Sequence, residues 1–70
     1  MRSFVLYGLD LDDNVLAAEA LTAEGMEAAR GAARERLARF PKVELWDGAI
    51  CVYRNRRAPP PEPRAGGPAG

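Results

Sequence analysis

The sequence predicts an α+β fold of order ββαββ: one four-stranded, mainly antiparallel sheet with a single helix on one face. Three observations predict it. Two β-rich runs close on turn residues, one around Asp10–Asn14 and one at Asp47-Gly48. Between them a single stretch carries apolar residues at helical spacing: Met26, Ala29, Ala33, Leu37 and Phe40. Seventy residues leave room for one such domain.

Ser3 to Leu9 is strand-like, apolar and aromatic. Asp10-Leu11-Asp12-Asp13-Asn14 is a turn, because Asp and Asn tolerate the left-handed conformation and bond their own backbone. The expected loop is Leu11-Asp12-Asp13, with Asp13 left-handed and closing a bulge. Val15 to Ala20 returns as a second strand, weakened by its alanines. In that register Leu9 faces Val15, Leu6 faces Ala18 and Val5 faces Glu19. One face then carries Phe4, Leu6, Gly8, Leu16, Ala18 and Ala20. The other carries Val5, Tyr7, Leu9, Val15, Ala17 and Glu19, and Glu19 marks it as the outward side. Both faces are largely apolar, which is unusual for a sheet with one wet side.

Thr22 to Phe40 reads as the helix, with Thr22 as N-cap. Glu24 and Glu27 sit early and Arg34, Arg36 and Arg39 late, the order that suits the helix dipole. Pro41 stops it. A helix of about 18 residues is about 27 Å long and returns the chain to the far end of the sheet. The third strand then runs in the direction of the second. Strand orders 2-1-3-4 and 1-2-4-3 are wholly antiparallel; order 1-2-3-4 places one parallel pair in the middle.

Val43 to Arg54 reads as a hairpin with Asp47-Gly48 as a two-residue turn. Trp46 then faces Ala49, Leu45 faces Ile50, Glu44 faces Cys51 and Val43 faces Val52. Val43, Leu45, Ile50 and Val52 form the core side. Lys42, Glu44, Trp46, Ala49, Cys51 and Tyr53 form the outer side. The ββαββ domain covers residues 1–57. Residues 58–70 hold five of the six prolines and three of the seven glycines. With nothing larger than Ala to bury besides proline, this tail is expected to be disordered.

Composition narrows the function. A chain this small has a modest core and often needs a disulfide, a metal or a second subunit. Cys51 is alone and there is no His, so an internal disulfide and a His/Cys metal site are excluded. Net charge is zero, yet residues 1–28 carry −5 and residues 29–70 carry +5. Such a chain can pair with itself. The apolar run Phe4–Leu9 is too short for a membrane span or a signal peptide, and the expected location is the cytoplasm. Abundant Ala, Arg, Gly and Pro beside a single Lys read as the imprint of a GC-rich bacterial genome.

Leu9-Asp10-x-Asp12-Asp13-x-Val15, the alanine-rich helix and Val43-Glu44-Leu45-Trp46-Asp47-Gly48 followed by Val52 resemble a group of short uncharacterised bacterial proteins. The resemblance covers residues 3–54. It implies hairpin–helix–hairpin order and no activity. Asp13 stands where that group more usually has Gly.

Candidate chemistry is thin. Asp10, Asp12 and Asn14 match the first three ligand positions of an EF-hand loop, but Val15 and Leu21 stand where it needs Gly and Glu. Cys51 has no base to activate it. No catalytic, cofactor-binding or metal-binding set emerges. The alternative is a nucleic-acid-binding or regulatory protein that uses Arg54, Arg56 and Arg57 with the basic helix end (Arg30, Arg34, Arg36, Arg39 and Lys42), and Tyr53 and Trp46 to stack on bases; the chain's overall neutrality weakens it. The expected function is a non-enzymatic protein-interaction or assembly module that forms a homodimer through its sheet, by its outer face or by an edge. The face is favoured, with Val5, Tyr7, Leu9, Val15, Trp46 and Tyr53 as contact residues.

Overall fold

The computed structural model describes residues 1–58. The proposed tail lies outside them, save for Ala58. The elements run β1 (Arg2–Leu9), β2 (Val15–Ala23), α1 (Met26–Glu35), a 3₁₀ turn (Arg36–Ala38), β3 (Lys42–Asp47) and β4 (Ile50–Arg56). All four strands form one antiparallel sheet of order β2-β1-β3-β4. This is the α+β fold of order ββαββ, in the first of the two wholly antiparallel arrangements.

The first turn forms as its residues dictate. Asp13 is left-handed at φ 68°. The Asp10 carboxylate accepts from the Asp12 and Asn14 backbone N–H groups at 2.8 and 2.9 Å, and from the Asn14 side-chain amide at 3.0 Å. The Asp10 N–H donates to the Asn14 carbonyl at 3.0 Å. Leu9 faces Val15 as expected, but a bulge then takes one residue, Leu16, out of the ladder. Leu6 therefore faces Glu19, not Ala18, and Val5 faces Ala20. One slipped residue exchanges the two faces of a strand. Ala17, Glu19, Leu21 and Ala23 turn to the helix side, and Ala18 and Ala20 to the open side.

The helix is shorter than its sequence pattern suggests. Leu21, Thr22 and Ala23 continue β2, with Thr22 opposite Ser3. Pairing along all eight residues of β1 outweighs the helical start, and Thr22 caps nothing. Gly25 takes the N-cap position in extended backbone without a side-chain cap. Past Ala38 the Arg36 carbonyl accepts from both Arg39 and Phe40, each at 2.9 Å, and Pro41 ends the run.

Helix and sheet meet in one core. Phe4, Leu6, Val43 and Leu45 of the sheet join Ala23, Ala29 and Ala33, all buried. Met26, Leu37 and Phe40 pack against them, which completes the expected helix stripe. Each large side chain so buried contributes about 1.5–3 kcal/mol. Phe40 lies over Gly8: a Cβ on Gly8 would stand 2.4 Å from the ring. Gly8 is thus the gap in β1 that admits the ring and closes the helix onto the sheet.

The second hairpin corrects the sequence reading twice. Its loop is Gly48-Ala49, with Asp47 opposite Ile50. Gly48 has φ +63°, which suits a two-residue turn with glycine first. Ile50 therefore sits beside the turn at the tip of the hairpin and is 67 % exposed. A second bulge removes Val52 from the ladder, so Leu45 faces Tyr53. Tyr53 consequently packs against the core and not on the outer face.

Candidate functional site

The open side of the sheet is the principal candidate surface, because among the described residues no element covers it. Its rows follow from strand pairing. Ala20, Val5, Trp46 and Cys51 lie across one line; Ala18, Tyr7, Glu44 and Arg54 across the next; Val15, Leu9, Lys42 and Arg56 across the third. Alternation along β1 and β3 puts these residues opposite the core set.

Tyr7 and Trp46 meet edge to face, with ring centroids 6.4 Å apart and planes at 88°. The Trp46 indole N–H donates to Glu44 at 2.9 Å, and Arg54 lies 3.4 Å from the other Glu44 oxygen. Tyr7, Val15, Glu44 and Trp46 line a shallow depression of about 330 Å³. The apolar surface here has a polar handle already satisfied within the chain, a composition suited to burial against another protein.

The six residues expected on this surface do not all reach it. Val5, Tyr7 and Trp46 are half-buried on it and Val15 is exposed beside it. Leu9 is only 5 % exposed between Val15 and Lys42, so its side chain is already buried within the chain. Tyr53 lies on the helix side, where the Asn55 amide donates to its hydroxyl at 2.9 Å. Ala18 and Ala20, assigned by sequence to the core side, belong to the open side. The bulge at Leu16 brings them there, and no turn residue announces it.

Several basic residues are engaged within the chain. Arg57 Nε donates to the Leu37 carbonyl at 2.8 Å, at the end of the helical run, where a cation is favourable. Arg54 pairs with Glu44, and Arg56 is exposed opposite Lys42. Lys42 reaches Asp13 at 2.6 Å, and Arg2 reaches Asp47 at 2.6 Å. Arg36 holds Glu19 with two bonds, at 2.9 and 3.1 Å. The acidic first half and basic second half thus meet at Asp13–Lys42 and Glu19–Arg36 within one chain. Charge complementarity between two copies loses part of its force.

Two carboxylates lie below their ordinary range. Asp10 is lowered chiefly by its hydrogen bond from the Asn14 side chain. Glu19 is lowered chiefly by its hydrogen bond from Arg36, and Arg36 is raised in return. Both shifts are accounted for by contacts within the fold. The Asp10 carboxylate is occupied in closing its turn. Among the described residues no three His, Cys, Asp or Glu side chains come together as a metal-binding group. Cys51 is half-buried, its thiol 3.6 Å from the Tyr53 carbonyl oxygen. No helix of the described residues is long and apolar enough to cross a membrane.

No protein-family model matches this chain, and neither a curated protein nor a solved structure resembles it at a significant level.

Proposed function

We propose that the chain is a small non-enzymatic assembly module that binds a second copy of itself through its sheet. The observation that carries this reading is the open side around Tyr7 and Trp46. Three strands, β1, β2 and β3, present Val5, Tyr7, Val15, Ala18, Ala20 and Trp46 on a side that no helix of the described residues covers. Zero net charge offers little resistance to association. Two-fold pairing is the commonest way for one surface to satisfy itself.

Trp46 is the chain's one tryptophan and reports directly on this surface. On dilution its emission should shift to the red as a partner leaves. Trp46→Ala should weaken association by at least about 2 kcal/mol if the indole anchors the contact. Emission that stays constant over the whole concentration range, in a chain whose Trp46→Ala variant associates as the original does, would remove the open side from the contact.

A further inference from the structure

We infer that β2 is a self-recognition edge: two copies join β2 to β2, antiparallel, into one continuous eight-stranded sheet. This contact is separate from the open-side contact proposed above, and either can exist without the other.

The two edges of the sheet are built differently. β2 is nine residues long, Val-Leu-Ala-Ala-Glu-Ala-Leu-Thr-Ala, with no proline and no basic residue. Its only bulge, at Leu16, lies near its start and leaves Ala17–Ala23 in regular register. β1 takes the backbone groups on one side of this stretch; on the other side no strand of the described residues lies beside it. The one charge on β2, Glu19, is held by Arg36 of its own chain. Val15 and Leu16, at the head of the strand, are more than half exposed, as is Leu11 in the turn before it.

β4 is guarded by comparison. The bulge at Val52 interrupts its ladder after two residues. Arg54 and Arg56 follow, both exposed. Charges and bulges are the devices that keep an edge strand from pairing. Along Ala17–Ala23 β2 has no bulge, and its one charge, Glu19, is already paired with Arg36.

The occupant follows from this asymmetry. Pairing β2 with β4 of the next copy would repeat head to tail into a ring or a filament, and the guarded edge opposes it. Pairing β2 with β2 closes after two copies. An axis normal to the sheet makes the pair antiparallel and keeps both helices on one side. The Glu19–Arg36 pairs arrive at the seam already neutralised, so no lone charge is buried. The open sides of the two copies become one continuous surface.

Amide hydrogen exchange of the full chain, followed residue by residue at low micromolar and at millimolar concentration, tests this. In a ladder, successive N–H groups point to alternate sides. The expected result is that alternate amides within Ala17–Ala23 slow on raising the concentration, while β4 amides keep their rates. Association without any change along β2 would overturn the edge contact and leave the open-side contact standing. Slowing along both β2 and β4 would overturn the closed pair in favour of a head-to-tail assembly. A chain whose diffusion shows a monomer at every concentration would overturn both contacts.

Discussion

The two sides of this one sheet are made from the same strands, yet they differ in what they ask of the chain. On the helix side Phe4, Leu6, Val43 and Leu45 are at most 2 % exposed, and the side is finished within the chain. On the other side Val5, Tyr7 and Trp46 are only half-buried, and nothing in the described residues finishes it. Residues on the first side set whether the domain folds. Residues on the second can change its associations while leaving the fold nearly intact. A small domain shows this division sharply, because one helix can cover only one side.

The comparison breaks most easily at the core. Leu45→Ala should destabilise the domain by about 2–5 kcal/mol, the range for a fully buried leucine. In a domain this small that can abolish the cooperative melt. An unchanged thermal midpoint would show that the helix side is not the core.

A smaller effect is expected where Phe40 seals the helix onto β1. Gly8→Ala puts a methyl group where the ring lies, so the ring must move. Overpacking of this kind costs about 1–3 kcal/mol. In a Phe40→Ala background the same change should cost much less. Equal costs in both backgrounds, measured by denaturant melts, would disconnect Gly8 from Phe40.

Acid sharpens the comparison from outside the core. Folded Asp10 and Glu19 both titrate below their ordinary range. Their contribution is therefore complete above the carboxylate range of the unfolded chain and is lost as the pH falls through the folded values. Both side chains are partly exposed to solvent, which screens their interactions, so the loss should be modest. Thermal midpoints measured from neutral pH downward should fall in that window. The double variant Asp10→Asn and Glu19→Gln should show a flatter decline. A decline of equal slope would assign the acid sensitivity elsewhere.

The smallest effect belongs to Ile50, at the tip of the second hairpin. Ile50→Ala should change stability by less than about 0.5 kcal/mol, as expected of an exposed site. A loss as large as that of Leu45→Ala would restore the tight Asp47-Gly48 turn, with Ile50 opposite Leu45.

These cases show what could be read from the residues. Element order, the helix stripe, the left-handed Asp13 and the core residues Phe4, Leu6, Val43 and Leu45 follow from period and turn chemistry. Those signals are local. The two bulges, at Leu16 and Val52, are not local: each is a choice of partner across a ladder. They move Glu19 and Tyr53 to the helix side and Ala18 and Ala20 to the open side. Thr22 was misplaced for a related reason, since a good cap residue serves equally well in a strand when β1 is long enough to pair with it. The candidate surface was therefore legible in β1 and β3, which carry Val5, Tyr7 and Trp46, and at Val15, and misread beyond the bulges of β2 and β4.

The central claim is that this sheet is completed by a second copy. Solution mass by light scattering at two well-separated concentrations tests it most directly. The account predicts a mass that climbs from the 7.6 kDa of one chain toward a whole multiple of it. A mass fixed at that of one chain at both concentrations would contradict it.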